Sequence, residues 1–216
     1  MKALSPHQTD KHASWAFAES RPDEDEVLLR ARERSAELGI EPVSEGTAAL
    51  LTVLAATSAP ATVVEIGTGT GVSGTALMRG LPSSAVLTTI DSDAEALRAA
   101  REAFAEAGHP ANRTRMITGR SRTVLPRLSS HSYDMVLIDA DHASLMFHLE
   151  QAARLLRSGG LLIVNDALDR DRVPRPAVRE ASTLAARQMG RAVREDEQWL
   201  SALTPTGTGV LLAVRR

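Results

Sequence analysis

Val63-Val64-Glu65-Ile66-Gly67-Thr68-Gly69-Thr70-Gly71-Val72-Ser73-Gly74 decides the fold. A β-branched apolar run ends in a carboxylate, glycines follow at 67, 69 and 71, and a helix-compatible segment comes next. That order predicts a strand, a tight turn and a helix N-terminus. Glycine, having no Cβ, permits the turn's dihedrals and lets backbone approach a ligand closely. The helix start adds unpaired amides. A small molecule is expected there.

Gly69-Thr70-Gly71-Val72-Ser73-Gly74 also spells the dinucleotide pattern G-x-G-x-x-G, and Asp91 lies twenty residues past Gly71, where a ribose-binding acid belongs. Glu65 discriminates. A carboxylate at the strand end repels a pyrophosphate at a helix N-terminus and attracts a cationic, phosphate-free ligand. S-adenosylmethionine (SAM), with its sulfonium and ammonium, meets that requirement; NAD does not.

Outward from the turn, helix and strand patterns alternate without internal repeats. Helices are expected over 22–38, 44–57, 93–107, 143–157 and 177–189. Strands are expected over 61–66, 85–90, 115–118, 133–138 and 161–164, with a closing antiparallel pair at 199–203 and 210–214. Alternating β and α units imply an α/β fold with a mostly parallel sheet, helices on both faces and one reversed strand near an edge. A single domain is expected over 1–216: a flexible tail at 1–20, N-terminal helices at 21–58 and the sheet-bearing core at 61–216.

The 216 residues are 43% hydrophobic and 24% charged, ordinary for a globular chain. A net charge of −2 and 3% aromatics argue against general nucleic-acid binding and base-stacking platforms. With no cysteine there is no disulfide or thiolate chemistry. Neither a leader nor a membrane span of about eighteen apolar residues is visible, so a cytoplasmic location is expected. Between 165 and 197 seven arginines face seven acids, the pattern of a salt-bridged surface.

Glu65-Ile66-Gly67-Thr68-Gly69-Thr70-Gly71, Ile90-Asp91 and Ile138-Asp139-Ala140-Asp141, in that order and spacing, resemble the class I SAM-dependent O-methyltransferases of the catechol and caffeoyl-coenzyme A type, small actinobacterial members in particular. The resemblance spans nearly the whole chain, from Glu41-Pro42-Val43-Ser44 to Val210-Leu211-Leu212. It implies a Rossmann-like, doubly wound, seven-stranded sheet, a homodimer and methyl transfer to a hydroxyl of a small molecule. It further implies that Val43 and Ser73 hold the methionine carboxylate end, Glu65 the ammonium and Asp91 the ribose. Gly67, Thr68 and Gly69 would let the cofactor lie on the backbone, Ser92 and Ser121 would line the adenine, and Asp141 would meet the methionine portion.

The catalytic half departs from the family pattern. The resemblance implies a divalent cation, such as magnesium, held by Asp139, Asp166 and an asparagine, but the third position is Ala167, and Asn165 stands on the other side of Asp166. His142 replaces the usual lysine and Leu145 a tyrosine. Asp139 remains the expected substrate contact and His142 a candidate general base, imidazole being suited to proton transfer near neutrality. Alternative readings are a tRNA-modifying methyltransferase of the same fold, a non-catalytic SAM-binding protein and a nicotinamide-dependent dehydrogenase.

Overall fold

The computed structural model describes residues 11–216. The N-terminal layer comprises α1 (Lys11–Glu19), α2 (Glu26–Glu37) and α3 (Glu45–Ser58). The core follows as β1 (Thr62–Ile66), α4 (Val72–Gly80), β2 (Val86–Asp91), α5 (Ala94–Glu106), β3 (Thr114–Thr118), α6 (Ser121–Val124), β4 (Tyr133–Ile138), α7 (Leu145–Leu155), β5 (Leu156–Val164), α8 (Ala181–Glu195), β6 (Trp199–Thr204) and β7 (Val210–Arg215). The seven strands lie in the order β3-β2-β1-β4-β5-β7-β6. β1 to β5 pair in parallel, and β7 runs antiparallel to both of its neighbours, so the reversed strand sits one place in from the edge.

Successive strand residues point to opposite faces, and the core divides accordingly. Val63, Leu87, Met135 and Leu137 pack with Leu28, Leu51, Leu77 and Phe104 beneath α2 to α5. Val64, Ile90, Val136 and Ile138 pack with Leu149, Leu155, Met189 and Val193 beneath α7 and α8. Burial on both faces is what a parallel sheet with helices on either side requires.

Several boundaries differ from expectation. α2 begins at Glu26 rather than 22, because the Asp25 carboxylate accepts the Val27 and Leu28 amides and caps the helix there. The helix expected over 143–157 opens as a single 3₁₀ turn at His142–Ser144, and α7 ends at Leu155. The residues beyond it join β5 through a bulge, where pairing jumps from Tyr133–Leu156 to Met135–Leu161. α8 starts four residues later than expected and runs to Glu195, its buried stripe Thr183, Ala186, Met189 and Val193 continuing past the expected end. The segment 11–19, expected as part of a flexible tail, is helical. Trp15 Nε1 donates to the Pro205 carbonyl at 2.8 Å, and Glu19 accepts the Gly207 amide at 2.7 Å. The rest of that tail, 1–10, lies outside the described residues. Among the described residues no helix is long and apolar enough to cross a membrane.

Candidate active site

Strand order reverses between β1 and β4, and the crevice at such a switch point, at the carboxyl ends of the strands, is where open α/β sheets bind ligands. Here it is built by the turn after β1, Asp91 at the end of β2, Asp139 after β4 and Asn165-Asp166 after β5. Gly67 is required by the close approach of β1 and β4: its φ is +92°, and a Cβ there would lie 1.9 Å from the Asp139 carbonyl oxygen. Gly71, at φ +88°, starts α4 without any side-chain cap.

Two cavities open on this crevice. One, of about 220 Å³, is walled by Pro42, Val43, Gly67, Gly69, Ser73 and Asp91 among others. Glu41, Asp91, Asp93 and Asp139 also border it, and among the described residues no lysine or arginine does. An acidic cavity at a glycine turn fits a cationic nucleoside such as SAM and opposes a pyrophosphate. The other, of about 420 Å³, is walled by Ser44, Asp139, His142, Asn165, Asp166 and Arg170 among others.

The first cavity refines the expected roles. Glu65 does not face it. Its side chain has no solvent exposure and lies one layer behind, accepting hydrogen bonds from Ser73 Oγ at 2.6 Å and Thr89 Oγ1 at 2.5 Å. Burial pushes its carboxyl up to about 7; the two hydroxyls pull the other way, and the charges of Asp139 and Asp91 add to the rise. The sequence reading has Glu65 favouring a ligand's ammonium directly or through an intermediary; here Ser73, which lines the cavity, stands between Glu65 and that space. Asp91 is already engaged: Oδ2 accepts the Thr68 and Gly69 amides at 3.0 and 2.9 Å, and Oδ1 accepts the Asp93 amide at 3.0 Å. It braces the turn and also lines the cavity. Thr68 is buried, its hydroxyl paired with that of Thr89 at 2.6 Å. The Val43 carbonyl accepts Arg32 Nη1 at 2.7 Å, so an arginine of α2 holds the loop that forms one wall of both cavities.

Other expected residues stand apart. Ser92 and Asp141 are exposed and line neither cavity. Ser121 opens α6 and its hydroxyl is 2.8 Å from His148 Nε2.

Asp139 belongs to both cavities. Burial raises its carboxyl to about 6, against the Asn165 amide, which donates to Oδ1 at 2.9 Å; the neighbouring charges of Asp166, Asp91 and Glu41 raise it further. His142 Nε2 lies 3.3 Å from the Asp166 carbonyl oxygen, 3.5 Å from Asp166 Oδ2 and 3.7 Å from Asp169 Oδ1. The magnesium set of the resemblance does not close. Ala167 offers no donor side chain, is buried, and spends its amide on the Gly209 carbonyl. Sequence reasoning missed Thr89, Arg32 and Asp169, none of which lies in a motif. The periodicity of α2, with Leu28 and Ala31 buried, was a signal for Arg32 alone.

Known proteins carry the same architecture. Residues 19–216 match the family model described as O-methyltransferase. A probable O-methyltransferase of Mycobacterium tuberculosis is 47% identical over 201 residues, 93% of this chain and 90% of that one. A Corynebacterium glutamicum protein of known structure superimposes with a TM-score of 0.86 at 31% identity, covering 94% of this chain and 96% of the other. The Streptomyces achromogenes O-methyltransferase of tomaymycin synthesis, solved in complex with SAM, superimposes with a TM-score of 0.82 at 27% identity, over 95% and 98%. Glycine turn, the acidic cavity beside it and relatives agree: the chain belongs to the O-methyltransferase family and is a SAM-dependent O-methyltransferase.

Proposed function

We propose that the acceptor is a small molecule whose hydroxyl enters the 420 Å³ cavity and meets Asp139, with His142 completing that wall. The observation that carries this reading is the position of Asp139, the group with a raised pKa that lines both cavities. SAM, when bound, supplies an electrophilic methyl group. The chain's part is to hold the acceptor oxygen close and aligned, a proximity effect worth up to about 7–11 kcal/mol in favourable cases. Asp139 receives the hydroxyl proton as its oxygen becomes the nucleophile, and Asn165 keeps that carboxylate oriented. Val43, Gly67, Thr68, Gly69, Ser73 and Asp91 hold the cofactor, with Glu65 acting through Ser73.

A cytoplasmic homodimer completes the proposal. Leu200 and Val214 pair across β6 and β7, both exposed on the same face of the sheet, and supply apolar surface for a second copy to cover. Calorimetry with SAM, followed by single-turnover assays against a panel of catechols and other small hydroxyl compounds, tests the reading. Methylation of one of them supports it. SAM binding without transfer to any of the panel would favour a non-catalytic binder.

A further inference from the structure

His142, Asp166 and Asp169 converge on one point beside the acceptor cavity, their ligating atoms all within 4.8 Å of one another. The imidazole Nε2 stands 3.5 and 3.7 Å from the two carboxylate oxygens, too far for good hydrogen bonds. Its one hydrogen-bond acceptor among the described residues is the Asp166 carbonyl, at a long 3.3 Å. The two longer separations are close to the edge, about 3.4 Å, of a coordination tetrahedron with bonds of about 2.1 Å.

Asp169 is held in place from both of its oxygens, by Arg172 on the one that faces His142 and by Ser182 and Thr183 on the other. Its side chain has no exposure; Arg172 Nη2 donates to Oδ1 at 2.5 Å, and Ser182 Oγ, at 3.1 Å, and Thr183 Oγ1 donate to Oδ2. His142 and Asp166 line the cavity. Asp139, Asp166, Asp169 and Glu41 gather here against Arg170 and Arg172, an acidic surplus that a dication offsets.

We propose that His142, Asp166 and Asp169 form a binding site for a divalent transition-metal ion of the zinc or cobalt type. The set shares only Asp166 with the oxygen-only arrangement that the resemblance implies and Ala167 defeats. An imidazole ligand favours zinc or cobalt over magnesium, which demands an octahedron of oxygens. Placed beside the acceptor cavity, the ion would supply Lewis-acid chemistry. This deepens the reading of that cavity as the acceptor site, but metal binding is measured without SAM or acceptor, so either idea can fail alone.

The test titrates EDTA-stripped full-length protein with Co²⁺ alone, followed by absorbance and calorimetry, then adds Zn²⁺ as competitor and runs Mg²⁺ in parallel. The expected result is one Co²⁺ site with d–d absorption of a tetrahedral centre, displaced by Zn²⁺ and indifferent to Mg²⁺. His142→Ala, a cavity-wall change, should weaken Co²⁺ about 100-fold, about 2.7 kcal/mol. Asp166→Asn should also weaken it, with the circular dichroism of both variants unchanged. No Co²⁺ site, unaltered affinity in His142→Ala, or a site lost in Asp139→Asn yet kept in His142→Ala would overturn the proposal.

Discussion

Ser73 donates its hydroxyl hydrogen to Glu65 Oε1 at 2.6 Å, which sets a solvent-excluded carboxylate directly behind the wall of the cofactor cavity. A buried carboxyl held at about 7 is half-charged at neutrality and responds to whatever cation occupies the cavity.

Glu65→Gln should therefore act on cofactor affinity and on pH dependence together. A cation on the far side of Ser73 draws Glu65 into its ionised form, so SAM binding should release a proton below pH 7. Calorimetry in buffers of different ionisation enthalpy would detect that release. In Glu65→Gln it should vanish, and affinity should fall about tenfold, about 1.4 kcal/mol. Stability runs in the opposite sense. Because the folded carboxyl sits above its ordinary 4.5, ligand-free protein is favoured at low pH and loses that contribution as pH rises toward 7, roughly 3 kcal/mol in all. Denaturation of the ligand-free variant should show a flatter pH dependence; an identical profile would remove Glu65 from the account.

Asp91→Ala should weaken SAM by tenfold or more, about 1.4 kcal/mol, and also lower the melting temperature without ligand. The second effect follows from the Thr68 and Gly69 amides, which lose their acceptor in one step. A variant with weakened binding and unchanged stability would show that Asp91 is only a ribose ligand.

Gly67→Ala tests the close approach of the two central strands. A Cβ 1.9 Å from the Asp139 carbonyl, at φ +92°, cannot be accommodated without parting the β1 and β4 turns. The cost should be at least about 2 kcal/mol by urea denaturation. Gly39→Ala, at φ +65° with no atom near its Cβ, isolates the backbone strain alone and should cost less.

What the sequence made legible was whatever is written locally. The β-branched runs, the glycines at 67 and 71, and the acids at 91 and 139 follow from short-range rules, and the sheet follows from their alternation. The direction of Glu65 was not legible. Val63, Val64, Glu65 and Ile66 are all buried, so no polar alternation distinguishes the two faces of β1. Only the packing of α4, which brings Ser73 to Oε1, and of β2, which brings Thr89 to Oε2, decides it. Asp169 was hidden for a related reason. Within a run of mixed charges it reads as surface, and its burial depends on Ser182 and Thr183, thirteen and fourteen residues on in the first turn of α8.

Asp139→Asn should reduce kcat by about 10²–10⁴ if this carboxylate takes the acceptor's proton. In the wild-type enzyme kcat/KM should rise with pH through about 6 as the group ionises. The asparagine variant should lose that limb. A retained limb would transfer the proton-accepting role to another group.

Arg32→Met asks whether a residue that lines neither cavity shapes both. Its guanidinium donates to the Val43 carbonyl at 2.7 Å and pairs in bidentate fashion with Glu24, at 2.5 and 2.6 Å, in a setting where little of either side chain is exposed. Methionine keeps the packing of the stem but leaves the carbonyl and the carboxylate unpaired, a loss of about 1–3 kcal/mol of stability. Because the 39–44 loop carries Glu41, Pro42 and Val43 into both cavities, KM for SAM and for the acceptor should rise together while kcat changes little. A fall in kcat with KM preserved would instead mean that the loop acts on the reacting groups themselves. Glu24→Gln separates the two contributions of the arginine: it removes the ion pair but keeps the Val43 contact, and should lower stability without moving either KM.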